Sequence, residues 1–238
     1  PLRPEARLKI AYLKQILTQT AYGLESFRKK DPIIIYQMGK VASTSLYNSL
    51  KELGIRPVFQ IHRIDKGHIS QLKRQFAKEN SKIYLCNIMA YFIRRNYFDK
   101  RKKVKLICPI REPVSRSFSD YFHAIERFIQ PKHFFKSSGS DLTEGEVLSN
   151  FINYYDHDFT LEWFDREVFP VTGIDVLSEN FPKKEGVQFY KKENVELMVY
   201  KVESEEHVVE ENLSSFLGVD FNFNKTSNVG EDKRYSEI

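Results

Sequence analysis

Gly39 and Lys40 stand between a short β-branched run, Ile33-Ile34-Ile35-Tyr36, and three small hydroxyl residues, Ser43-Thr44-Ser45. Leu46, Leu50 and Leu53 then recur at helical spacing. That order predicts a buried strand, a tight turn and a helix start. Free backbone N–H groups and the positive end of a helix face an anion at such a turn, and a lysine adds a point charge. A second candidate follows the apolar run Val104–Ile110, where Arg111 precedes Pro113 and Ser119 lies eight residues further on. Pro113 suits a first helical position. Arg111 offers a bidentate clamp for an oxyanion, and Ser119 an O–H from the following helix. Two anion-seeking groups on two strand-to-helix turns suit a ligand charged at both ends.

The first turn differs from the nucleoside-triphosphate loop that it superficially matches. That loop carries a glycine five residues before Gly-Lys, where Ile34 stands, and a Ser or Thr directly after the lysine, where Val41 stands. The hydroxyl that ordinarily binds Mg²⁺ is therefore absent from its usual place. No metal-ligand spacing occurs among the six histidines and two cysteines, and no Gly-x-Ser-x-Gly elbow occurs.

The elements that must hold these groups alternate along the chain. Residues 4–28 predict an amphipathic helix, with Leu13, Ile16, Leu17, Ala21, Leu24 and Phe27 on one face. Strands are expected at 33–36, 56–61, 82–89 and 104–110, and two later ones at 186–190 and 196–202. Helices are expected after Ser43, over 66–78 and after Pro113, where Phe118, Phe122, Ile125 and Ile129 form a stripe. Residues 131–143 predict a long irregular loop, and Thr143 with Glu146 a capping box. Thr160 is expected to cap a short aromatic helix through Trp163 and Phe164, and Ser204 to open a last helix that Gly218 ends. Such alternation implies an α/β domain, three layers deep, around a mostly parallel sheet. Ligands bind beyond the carboxyl ends of such strands. The expected organisation is a helix over 1–31 and one domain over 32–238.

Lys40-Val41-Ala42-Ser43-Thr44-Ser45 resembles the 5′-phosphosulfate loop of sulfotransferases that use 3′-phosphoadenosine 5′-phosphosulfate (PAPS). Ile110-Arg111-Glu112-Pro113 through Ser119-Asp120-Tyr121 resembles their 3′-phosphate motif, and Ala90-Tyr91-Phe92 a segment of glycosaminoglycan sulfotransferases. Trp163-Phe164-Asp165 and Lys201-Val202-Glu203 resemble bacterial sulfotransferase-like proteins of capsular polysaccharide synthesis. The resemblance covers about residues 32–238, with the specific matches in the first two motifs. It implies the P-loop-like sulfotransferase fold, PAPS as donor without a metal, and Gly39 to Ser45, Arg111 and Ser119 as its binding residues. It also implies an acceptor hydroxyl, on a saccharide by the capsular comparison, and electrostatic work for Lys40 at the bridging oxygen.

Transfer from a hydroxyl needs a base. Many members place a His or Glu at or after the second strand, which favours His62; His123, on the helix of Ser119, is the second candidate, followed by Glu112 and Asp65. The glycosaminoglycan comparison puts the base position on Gln60, which cannot act as one. Each of these residues also has an ordinary structural reading. Late basic loops cover the cofactor in related enzymes, which nominates Lys233 and Arg234; a solvated tail is the alternative. The run Arg94, Arg95, Lys100 to Lys103 and Lys105 either lines a path for an anionic glycan or is a solvated face.

Composition sets the outer bounds. The chain has 238 residues, 41% hydrophobic and 14% aromatic, enough for a substantial core. A net charge of +5 favours an anionic partner or simply a basic surface. Cys86 and Cys108 sit in apolar runs, where free thiols are expected. No run of 18 apolar residues predicts a membrane span. A bacterial source would place the chain in the cytoplasm, and a trimmed eukaryotic enzyme in the Golgi lumen. Two competing functions remain at this stage: a P-loop phosphotransferase, which needs a Mg²⁺ site, and a non-catalytic basic module binding glycan or nucleic acid, which needs a broad basic stripe with stacking aromatics. The discrete anion sites favour an enzyme and a glycan or other hydroxyl-bearing acceptor over nucleic acid.

Overall fold

A computed structural model describes residues 31–55, 57–76, 85–123 and 143–224. The N-terminal helix expected over 1–31, the stripe beyond His123, the loop over 131–142, and Lys233 and Arg234 lie outside the described residues, apart from Asp31.

Strand β1 (Ile33–Tyr36) leads into helix α1 (Ser43–Glu52), and β2 (Val58–Ile61) into α2 (Lys66–Phe76). Helix α3 (Leu85–Ile93) continues as a π-helical turn, Arg94–Phe98, before β3 (Val104–Ile110) and α4 (Pro113–His123). Helix α5 (Glu144–Tyr154) precedes α6 (His157–Trp163), whose π-helical extension Phe164–Val168 runs into the short α7 (Phe169–Thr172). The chain then forms the hairpin β4 (Val187–Lys192) and β5 (Val195–Lys201) and helix α8 (Glu206–Leu217).

The five strands make one sheet in the order β2-β1-β3-β5-β4. β1 runs parallel to β2 and β3, and β3 to β5; β4 alone is antiparallel, against β5. The register pairs Ile35 with Gln60 and Ile107, and Ile110 with Lys201. The turns after β1, β2, β3 and β5 therefore open on the same edge.

Side chains alternate between the two faces, as the pleat requires. Ile34, Tyr36, Leu106, Cys108, Leu197 and Val199 pack against Ile69 and Leu72 of α2, Ile93 of α3 and Trp163 of α6. Ile35, Ile107, Met198 and Tyr200 pack against Leu46 and Leu50 of α1 and Val209 and Leu213 of α8. The sheet is thus the middle of three layers. A third cluster, Tyr121, Phe151 and Tyr155, joins α4 to α5 beside the sheet edge.

Three local expectations are corrected. The strand expected over 82–89 is, from Leu85 onward, helix α3, so Ala90, Tyr91 and Phe92 and the backbone of Cys86 are helical. Met89, Ala90 and Ile93 of α3 and Tyr97 of the π-helical turn are buried, a helical stripe inside a run apolar enough to read as a strand. Asp156, whose carboxylate accepts the N–H of Phe159, caps α6; Thr160 lies inside that helix. Helix α8 begins after Glu205, one residue later than expected from Ser204. The capping box of Thr143 and Glu146 and the left-handed end at Gly218 are present as read. Cys108 is a buried free thiol whose pKa burial pushes up.

Candidate functional site

The turn after β1 has an unusual backbone. Gly39, Lys40 and Ala42 have φ of +89°, +61° and +52°, all left-handed. Two of these residues carry side chains, so the surrounding structure must hold the turn in place. A Cβ on Gly39 would meet nothing closer than 3.8 Å, so this glycine serves the backbone angle and not a close approach. Among the described residues, the backbone N–H groups of Val41, Ala42, Ser43 and Thr44 donate to no protein acceptor. Four free amides at the start of α1 form the kind of concavity that receives an anion.

The side chains of the turn divide in role. Val41 is fully buried in the core beneath it, and Ala42 is exposed at the helix start. The Ser43 hydroxyl is buried and accepts Gln60 Nε2 at 2.6 Å, which ties α1 to β2. Gln60 therefore has a structural partner at the position where the glycosaminoglycan comparison places a base. Thr44 is exposed, and Lys40 and Ser45 are half-buried.

The second anion group lies one strand away. Arg111 is half-buried at the end of β3, and no carboxylate among the described residues pairs with it. Glu112, its neighbour, is engaged in capping: its carboxylate accepts the N–H groups of Val114 and Ser115 at 3.0 and 2.7 Å. Those bonds hold the Glu112 carboxyl below its ordinary value. The Glu112 N–H donates to Glu203 just after β5, at 2.8 Å. Ser119 is only 3% exposed, yet its hydroxyl has no hydrogen-bond partner among the described residues. His123 lies one turn beyond it and is exposed.

His62 follows β2 directly and lies beside the turn; a Cβ on Gly39 would be 3.8 Å from its Cε1. Its Nδ1 is 3.0 Å from Gln37 Nε2 and 3.1 Å from the Gln37 carbonyl oxygen. Gln37 is fully buried, and its Oε1 accepts the Gly39 N–H. Nδ1 either accepts from Gln37 Nε2 or donates to the Gln37 carbonyl; in the second tautomer Nε2 carries the free lone pair. Desolvation lowers the His62 pKa; the bond to Gln37 opposes this, and the nearby Arg116 charge adds to it.

Sequence reasoning missed two buried charged residues behind this edge. Arg116, 2% exposed on α4, donates from Nε to the Gly39 carbonyl at 3.2 Å and from Nη2 to the Met38 carbonyl at 3.0 Å. Glu167, 1% exposed in the π-helical turn after α6, accepts Tyr36 Oη at 2.9 Å, Arg63 Nε at 2.7 Å and the Ile64 N–H at 3.2 Å. It braces the two residues that follow His62. Asp65, another base candidate, belongs to this brace: it accepts the His68 N–H at 3.0 Å and caps α2. The signal for Arg116 was its i,i+4 relation to Asp120; Glu167 had none, because the π-helical turn changes which face it presents.

The basic run also divides. Arg94 is buried and pairs with Asp99 at 2.9 Å, so it lines no glycan path. Lys105 bonds the Phe216 carbonyl oxygen. Arg95 and Lys100 to Lys103 remain on the exposed surface. No group of three or more His, Cys, Asp or Glu gathers to hold a metal among the described residues, and none of their helices is long and apolar enough to cross a membrane.

A family model named NKWYS, described as "Putative capsular polysaccharide synthesis protein", matches residues 133–238, under half of the chain. It begins beyond both anion-seeking turns and spans α5 to α8, the π-helical turn Phe164–Val168 and the β4–β5 hairpin among the described elements. No curated protein matches the chain.

Proposed function

We propose that the protein is a sulfotransferase that moves the sulfuryl group of PAPS to a saccharide hydroxyl. The observation that carries this reading is the pair of incomplete donor sets on one sheet edge. Four amide N–H groups over Val41–Thr44 lack acceptors among the described residues, and the Ser119 hydroxyl makes no hydrogen bond among them. Both ends of the proposed donor are anionic, so the residues fit it: the turn with Lys40 takes the 5′-phosphosulfate, and Arg111 with Ser119 the 3′-phosphate. The polysaccharide description of the family model supports the choice of acceptor.

The donor supplies an activated sulfur–oxygen bond. The acceptor oxygen forms a bond to sulfur as the bridging S–O bond breaks, and adenosine 3′,5′-bisphosphate leaves. Lys40 and the free amides stabilise the charge that grows on the bridging oxygen. His62 takes the acceptor proton on Nε2 in the tautomer whose Nδ1–H donates to the Gln37 carbonyl.

Thermal denaturation tests the nucleotide site. Adenosine 3′,5′-bisphosphate stabilises the protein without Mg²⁺, by about 2.7 kcal/mol at a hundredfold excess over Kd. Stabilisation by ATP and only with Mg²⁺ would replace this reading with a phosphotransferase.

A further inference from the structure

We infer that Arg116 is a positioning residue that joins the two anion sites into one mechanical unit, so that an anion seated in either raises affinity at the other. The inference rests on the nucleotide reading above.

A guanidinium buried to this depth is costly unless its donors are satisfied. Arg116 donates four hydrogen bonds and its charge pairs with a carboxylate. Two reach the phosphate turn, at the Met38 and Gly39 carbonyl oxygens. The other two reach the frame of helices beside it, at Tyr155 Oη at 2.7 Å and Thr160 Oγ1 at 3.1 Å, and Nη2 forms an ion pair with Asp120 Oδ2 at 3.2 Å. The Phe159 ring lies 5.3 Å from the guanidinium carbon. Tyr155 Oη in turn donates to Asp120 at 3.1 Å, and Ser117 Oγ lies 3.1 Å from Thr160 Oγ1.

This arrangement has two consequences. The carbonyls of Met38 and Gly39 are held toward α4, which fixes the left-handed turn whose amides over 41–44 lack acceptors among the described residues. Arg116 also lies one turn before Ser119 on α4, whose start is fixed to Arg111 by the Glu112 cap. The turn and the 3′-phosphate helix therefore share one rigid anchor, and ordering one orders the frame that the other uses. Lysine cannot substitute: a point ammonium with three donors does not span two loop carbonyls and three frame oxygens. An apolar filler would supply packing without the link.

The test is a double-mutant cycle for binding of adenosine 3′,5′-bisphosphate to the whole chain, followed by calorimetry. Lys40→Ala and Arg111→Ala are made singly and together, in the wild-type background and in Arg116→Lys. In the wild-type background the two losses are non-additive by about fivefold or more. In Arg116→Lys they become additive within about twofold. A second background, Tyr155→Phe with Thr160→Val, leaves the arginine and its loop bonds in place but weakens its hold on the frame; it too lowers the coupling. A residue that merely stabilises the fold would lower stability and leave the coupling unchanged. Wild-type coupling retained in both backgrounds, or additive losses in the wild type, overturns the inference. Absence of bisphosphate binding by the wild type overturns the nucleotide reading and this inference together.

Discussion

Replacing Glu167 by leucine separates the brace under His62 from the rest of the core. The carboxylate is 1% exposed and serves three donors: Tyr36 Oη–H, the Ile64 N–H and Arg63 Nε–H. Leucine fills similar volume and accepts nothing. Arg63 is 47% exposed and can turn to water, so its loss counts for little. Tyr36 is fully buried but keeps the Glu167 backbone carbonyl as an acceptor at 3.1 Å, so the Ile64 amide is the donor left unsatisfied, a loss of about 1–3 kcal/mol. For a domain of this size that is a fall in Tm of about 2–12 °C. Glu167→Gln keeps one acceptor oxygen for Tyr36 and Ile64 and costs roughly 1–2 kcal/mol. Urea denaturation followed by circular dichroism measures both. The pH dependence gives a second reading of the same group. Burial raises the Glu167 pKa above its ordinary 4.5, with the Arg63 and Tyr36 bonds opposing. Its contribution to stability is therefore complete below the unfolded pKa and is lost as pH rises through the folded one. Asp65, held below its ordinary value by the His68 and Gly67 amides and the Glu167 carboxyl against the opposing effect of burial, works in the other direction. Glu167→Gln removes the first of these slopes. A leucine variant as stable as wild type, or a glutamine variant with an unchanged stability profile, would refute the reasoning.

Two further outcomes follow from the same geometry. The His62 pKa is lowered from 6.5, so the acid limb of the transfer rate lies below pH 6.5; it disappears in His62→Ala and persists in His123→Ala. A pH–rate profile measures this, and a limb unchanged in His62→Ala would remove His62 as the base. Gly186→Ala places a Cβ 1.8 Å from Ser204 Oγ at a φ of +68°, so it destabilises by about 2 kcal/mol or more, measured by denaturation. Stability equal to wild type would mean that the turn joining β5 to Glu203 and α8 is softer than described.

The parts of the site that were legible in the sequence are those set by local rules. A β-branched run, a Gly-Lys turn and hydroxyl residues before a leucine stripe specify β1, the left-handed turn and α1 without long-range information. Pro113 after Val104–Ile110 does the same for β3 and α4. The errors arose where local rules compete. The apolar stretch around Leu85–Ile93 satisfies a buried strand as well as a helix, and only packing against Ile64 and the sheet decides it. Arg111 and Arg116 both lie within the stretch Ile110 to Tyr121, and local pattern singles out Arg111 alone. The inward turn of Arg116 is decided by Tyr155 and Thr160, about 40 residues away, which no local pattern announces. Glu167 bonds Tyr36 across 131 residues, and its burial is likewise a property of the assembled core.

The most direct test of the central claim is transfer itself. Wild-type protein is incubated with PAPS labelled in the sulfuryl group and a panel of glycans, and label on the glycan is measured against adenosine 3′,5′-bisphosphate released. The account predicts one bisphosphate per sulfuryl transferred, with turnover about 10²-fold lower in Lys40→Ala at saturating donor. Turnover of the donor with no acceptor in the panel, or a Lys40→Ala variant that transfers at the wild-type rate, would contradict it.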